Sequence, residues 1–260
     1  GLVRATGPGA TYLPIGTLVS LDPRLPCGQC AGCQSEEAGD PGPERCLTPE
    51  RLGIERDGVF ANQVVVPANC VHPIAEGVDP RRAAYLEPVA AAMGALNAGL
   101  RPEDRGLIAG EGRIAELTAR ILEHAGFPRP QIIAPHDLAG TVRTGSLDFV
   151  IDAGLPDDRA LESMTALLRK HGTLVLKSRV ALPRTFVPAD WVGREITVAA
   201  RAYGSFQRAA EMVSDPSLAL EDLFGEARPL ADFAQVFRDA RRSESVKLFF
   251  QPSPGPNPID

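Results

Sequence analysis

What the chain lacks narrows it first. No apolar run approaches the ~18 residues that a bilayer span needs, so no membrane protein is expected. There is no basic excess: 27 Lys and Arg face 33 Asp and Glu, for a net charge of -6. Nor is there a basic cluster, and a surface of this sign disfavours nucleic acid and anionic lipid as partners. The opening GLVRATGPGATYLP has no signal-peptide core, which makes the cytoplasm the expected compartment. No internal repeat recurs along the 260 residues, and a chain of this length buries a core without covalent staples.

Cysteine is scarce too, but concentrated. Five cysteines are an odd count for a disulfide framework, and a reducing compartment would not keep one. Four fall in CGQCAGCQSEEAGDPGPERC, residues 27–46. Cys27, Cys30 and Cys33 recur at two-residue gaps and Cys46 follows after twelve more residues. The stretch is rich in Gly, Pro and Asp, so a loop can fold back and aim four thiolates at one tetrahedral ion. Zinc suits soft sulfur donors, and four protein ligands leave no open position for substrate, so the expected metal is a structural zinc. Cys70, in VVVPANCVHPI, reads as a small buried apolar residue. His72, two positions on, reads as a half-buried strand histidine.

Organisation changes near residue 88. Before it, GLVRA, GTLVSL and FANQVVVP are strand-like runs bounded by Gly, Pro, Asp or Asn, as in a β-rich domain. A helix built on Ala83, Ala84, Leu86, Val89 and Ala92 through Leu96 follows. Beyond Pro102, apolar β runs (GLIAG, QIIA, DFVIDAG, TLVLKS, EITVAARA) alternate with amphipathic helices, the pattern of a parallel sheet covered on both faces. A last helix, ADFAQVFRDARR, and a strand, VKLFF, return the chain to its first domain. The expected division is therefore 1–88 with 219–250, a nucleotide-fold domain over 89–218, and a disordered Pro-rich tail over 251–260.

GEGRIA matches G-x-G-x-x-G/A through Gly110, Gly112 and Ala115, with Arg113 in the same turn. RGLIAG reads as the strand before it, and Ile114, Leu117 and Ile121 as the helix face after it. Strand, tight turn and helix N-terminus together present backbone amides to a pyrophosphate, which implies NAD or NADP. Two departures stand out. Glu111 puts a carboxylate beside the diphosphate position, and the acid expected after the second strand is replaced by Pro135 and His136, with Asp137 slightly late. Between Gly112 and DFVIDAG there is room for one strand only, so the doubly wound sheet is expected to be trimmed on the adenosine side.

This order of parts resembles the zinc-containing medium-chain dehydrogenase/reductases, which include alcohol, sorbitol and threonine dehydrogenases. GPGATYLPIGTLVSLDPRLPCGQCAGC is similar to the family's run into its structural zinc lobe. DGVFANQVVVPANCVHPIAEGVDPRRAAYLEPVAAAMGAL is similar to its passage between domains, and Leu86-Glu87-Pro88 to its polyol and threonine branch. The resemblance covers about residues 1 to 250, and the gap from Cys33 to Cys46 exceeds the family's usual spacing.

It implies an α/β fold: a shortened Rossmann-like sheet plus a partial, β-rich GroES-like catalytic domain carrying the zinc lobe. It also implies a homodimer through the strand at 195–202. The family's catalytic zinc ligands lie mainly ahead of the segment with which this sequence begins. Of the residues near that metal, Glu87 alone has a matching position. The expected activity is NAD(P)-linked hydride transfer on a small secondary alcohol, polyol or ketone. One alternative is a catalytically inactive homologue that serves as a binding or scaffold protein. Another is zinc-independent reduction with Tyr85 or Tyr203 as proton donor.

Overall fold

The computed structural model describes residues 1–35, 43–241 and 246–252. Strands β1 (Val19–Leu21) and β2 (Arg24–Leu25) precede a one-turn helix α1 (Ala31–Gln34), then β3 (Glu50–Arg51) and β4 (Val71–Pro73). Helices α2 (Pro80–Ala83) and α3 (Leu86–Met93) lead into an alternating series. This runs β5 (Gly106–Ala109), α4 (Gly112–His124), β6 (Gln131–Ile133), β7 (Leu147–Asp152), α5 (Asp158–Leu167), β8 (Leu168–Leu176), α6 (Pro188–Arg194) and β9 (Thr197–Ala200). Helix α7 (Phe206–Ser214), β10 (Phe224–Pro229), α8 (Phe233–Ala240) and β11 (Lys247–Gln251) complete the chain. The elements gather into two compact units: Gly1–Glu87 with Phe206–Asp215 and Leu220–Asp260, and Pro88–Ser205 with Pro216–Ala219.

In the second unit five parallel strands pair in the order β6-β5-β7-β8-β9. Side chains alternate across the sheet, as the two-residue period of a strand dictates. Leu107, Ala109 and Val150 pack with α5 through Ala160, Leu161 and Met164. Ile108, Phe149 and Ile151 pack on the other face with Ala115, Ala119 and Leu122 of α4. Each fully buried Leu, Ile or Phe contributes about 2 kcal/mol, so this packing outweighs the small differences in intrinsic helix propensity. Ile114, expected on the buried face of α4, is 44% exposed, and Ala115 and Thr118 take that face instead.

The sheet is shortened as its sequence spacing implies. The chain steps outward from β5 to β6, which forms the edge, and returns to β7 without an intervening α-helix. The direction of winding therefore reverses between β5 and β7, and a doubly wound sheet opens a ligand crevice at the carboxyl ends of its strands at such a point.

The first unit is built from two-stranded pieces. β1 pairs antiparallel with β4, β2 with β3, and β10 runs parallel to β11. GLVRA contributes a single bridge, Leu2 to Leu18. FANQVVVP, read as a strand, forms none. A strand exists only by pairing, and here Val65 is fully exposed, while the Phe60 ring leans on Phe250 at 4.8 Å and Phe237 at 6.0 Å.

Helix α7, which lies inside the expected nucleotide segment, clusters with this unit. Its C-terminal carbonyls are capped by Arg82, only 7% exposed, which donates to Val213 O at 2.9 Å and Asp215 O at 2.7 Å and pairs with Glu221. The Pro-rich tail beyond residue 252 lies outside the described residues.

Candidate metal centre and phosphate turn

The cysteine lobe folds for local reasons. Cys30 is the N-cap of α1, and its carbonyl accepts from Cys33 N at 2.9 Å and Gln34 N at 3.0 Å, turning Cys33 back toward Cys27. At Gly32 a Cβ would lie 1.8 Å from Arg45 O, so only glycine lets the returning strand of the lobe come this close. The result brings Cys27, Cys30, Cys33 and Cys46 together, with all four sulfurs within 4.8 Å of one another. Individual separations are 3.9 Å for Cys27–Cys33, 3.5 Å for Cys30–Cys33 and 4.0 Å for Cys30–Cys46. A tetrahedral zinc with sulfurs at about 2.3 Å needs edges of about 3.8 Å, so the quartet fits a structural zinc.

Backbone amides support the sulfurs, Cys27 N toward Cys46 Sγ at 3.2 Å and Leu47 N toward Cys30 Sγ at 3.3 Å. The thiols differ in acidity. The Gln29 amide, then the Thr48 side chain and the Cys30 amide, hold Cys27 down to about 6, and the Leu47 amide lowers Cys30. Burial pushes Cys33 up to about 12. A cation at the centre would supply the charge that keeps all four deprotonated. The lobe is also tied to α7, because Glu44, two residues before Cys46, accepts from Phe206 N at 3.2 Å.

The remaining residues of the first unit do not extend this centre. Cys70 is fully buried with its thiol toward Arg24 O at 3.3 Å. His72 stacks near Phe206, its Nε2 buried without a hydrogen-bond partner among the described residues, and burial lowers its pKa. Glu87 sits half-buried in the first turn of α3. Tyr85, one of the two tyrosines considered as donors, is buried with its hydroxyl on Leu223 O at 2.7 Å.

In the second unit, β5 is followed by Gly110, whose N–H donates to Ile133 O at 2.9 Å. A Cβ there would lie 2.7 Å from the Ala153 Cβ, and Gly112 has φ +72 at the start of α4, so the turn requires both glycines. Glu111 occupies the N-cap of α4, exposed and without a capping bond of its own. Arg113 is half-buried on the first turn, and Ala115 is wholly buried against the sheet, holding the helix close rather than lining the turn. His136 lies exposed on a short turn, Pro135–Asp137, with Nε2 3.6 Å from Asp137.

Sequence reasoning passed over Asp152 and Ser178. Asp152 closes β7 with no exposed surface and accepts from Gly154 N at 2.9 Å, Ser178 N at 2.9 Å and Ser178 Oγ at 2.7 Å. The signal was an acid ending an apolar run, FVID, ahead of two small residues. Nearby, Lys177 Nζ donates to the carbonyls of Ala91, Arg201 and Ala202 and so knits α3 to the end of β9.

The architecture so far defines a nucleotide-type parallel sheet joined to a β-rich unit with a four-sulfur lobe. Residues 1–76 match the alcohol dehydrogenase GroES-like domain. The chain is 26% identical over 270 residues to 2-dehydro-3-deoxy-L-galactonate 5-dehydrogenase of Pseudoalteromonas atlantica, covering 91% of this chain and 76% of that protein. It is 33% identical over 127 residues to L-threonine 3-dehydrogenase of Stenotrophomonas maltophilia, spanning 48% of this chain but only 36% of that enzyme. The fold matches the crystal structure of a Sinorhizobium meliloti protein described as a zinc-binding dehydrogenase bound to NADP. The TM-score is 0.83 at 24% identity, over 97% of this chain and 81% of that one. These likenesses agree with the resemblance to the zinc-type medium-chain dehydrogenase/reductases.

Proposed function

We propose that the chain acts in NAD(P)-linked hydride transfer on a small secondary alcohol, polyol or hydroxy acid and the matching ketone. The observation that carries this is the Gly110–Gly112 turn at the N-terminus of α4, at the point where the sheet reverses direction. The alignment over 91% of the chain with a sugar-acid dehydrogenase supports it. Bound NAD(P) supplies the hydride acceptor. The chain's own part would be to seat it: amides at the start of α4 would meet the diphosphate, with Arg113 on the same turn and His136, on the exposed turn after β6, offered to the adenosine ribose.

The four cysteines hold a structural zinc that keeps the lobe and Glu44 in place. Glu87, half-buried in the first turn of α3, is the candidate catalytic carboxylate, and the compartment is the cytoplasm. Assembly is a homodimer through β9, whose Val198 is 40% exposed on a sheet edge; an apolar edge of this kind needs covering. Light scattering should return twice the chain mass.

A second reading, a homologue that binds nucleotide without turning over substrate, is favoured by the Glu111 carboxylate at the phosphate turn and the missing strand beyond β6. A panel of secondary alcohols and polyols, offered with NAD and with NADP, separates the two. Formation of reduced nicotinamide with at least one substrate supports the oxidoreductase. Binding of nucleotide without any turnover across the panel supports the second reading.

A further inference from the structure

Asp152 is an unusual residue to find at the closed end of an apolar strand. It has no exposed surface, and its partners are hydrogen-bond donors: the amides of Gly154, Ser178 and Lys177, the last at 3.3 Å, and the Ser178 hydroxyl. Burying a carboxylate costs several kcal/mol unless its oxygens are satisfied. An apolar residue at this position would avoid the cost. What the carboxylate adds is connection: Gly154 belongs to the turn after β7, and Lys177 and Ser178 to the turn after β8.

Both turns lie at the carboxyl ends of adjacent parallel strands. They are continuous with the phosphate turn, because a Cβ at Gly154 would touch Gly110 Cα at 3.8 Å and the Pro135 ring at 3.9 Å. Gly110 in turn packs on Ala153. Phosphate turn, β7 turn and β8 turn therefore form one floor, with Asp152 beneath it. In a doubly wound sheet a dinucleotide crosses the switch point, so the half beyond the diphosphate lies over the strands on the β7 and β8 side.

We infer that Asp152 is a positioning residue of the cofactor site, tying the β7 turn to the β8 turn through Ser178 so that the nicotinamide half of the dinucleotide has a fixed floor. This rests on the dinucleotide reading above. A buried, hydrogen-bonded support of this kind fixes geometry without touching the ligand.

The test uses the full chain and its variants Ser178→Ala and Asp152→Asn, titrated with NADH, NADPH and ADP, with thermal unfolding measured alongside. Ser178→Ala removes one bond and should weaken the preferred dinucleotide about fivefold. Asp152→Asn turns an acceptor into a donor facing backbone amides and should weaken it more than about tenfold. ADP, which stops at the diphosphate, should bind each variant within about twofold of the parent. That split is what a loss of general stability would not produce. Dinucleotide and ADP weakened together, or neither changed, overturns the positioning role while leaving the dinucleotide reading in place. A parent chain that binds none of the three overturns both.

Discussion

Changing Cys33 to Ser removes the innermost of four sulfurs, 3.5 Å from Cys30 and 3.9 Å from Cys27. A structural zinc contributes about 10–16 kcal/mol at neutral pH. Shared among four sulfurs of near-tetrahedral spacing, one ligand accounts for about 3 kcal/mol, or about two decades of affinity. A serine hydroxyl stays protonated and recovers little of this. Competition with a chromophoric chelator at fixed pH should show the loss. Cys70→Ser, which alters a buried thiol outside the quartet, should leave zinc affinity unchanged. Because Glu44 sits two residues before Cys46 and accepts the Phe206 amide at 3.2 Å, hydrogen exchange at that amide should quicken when the metal is removed. A Cys33→Ser variant that keeps the parent's zinc affinity within about twofold would refute the assignment of these sulfurs as a single site.

Four further outcomes are expected. Arg82→Met strands two carbonyls at the end of α7 and should cost about 3 kcal/mol in urea unfolding, since charge-assisted bonds contribute roughly 1.5–3 kcal/mol each; the exposed Glu221 adds little. His72 faces Asp22, Glu44 and Arg24, and burial lowers its folded pKa. The unfolded chain therefore takes up the proton first, and stability is full above the ordinary histidine value and lost as pH falls below it. His72→Phe should flatten that part of a pH–stability curve. Gly110→Ala places a methyl 2.7 Å from the Ala153 Cβ and should weaken nucleotide binding at least tenfold, read by fluorescence titration. Glu111→Gln removes negative charge at the N-cap of α4 and should tighten dinucleotide binding by about two- to fivefold.

How far the residues announced the structure depends on whether a signal was local. The sheet strands β5 to β9 and helices α4, α5 and α8 were legible because each carries its own period, and the single strand between Gly112 and DFVIDAG foretold a sheet trimmed at β6. The cysteine quartet was legible because ligand spacing is a sequence property. FANQVVVP was not, because its alternation describes a strand face while a strand needs a neighbour that no local pattern supplies. α7 was passed over although Phe206, Ala209, Ala210 and Val213 recur at helical spacing, and α6 packs only lightly, with Val192 74% exposed. Asp152 was out of reach because its meaning comes from Ser178, a residue 26 positions on. Ala115 shows the converse: the fingerprint located it, while its burial shows that it serves packing.

Calorimetric titration of the full chain with NADH and with NADPH tests the central claim most directly. Saturable binding of one dinucleotide per chain is expected, weakened at least tenfold by Gly110→Ala. No heat of binding from either cofactor, with the zinc lobe loaded, would contradict the assignment of the Gly110–Gly112 turn as a cofactor site.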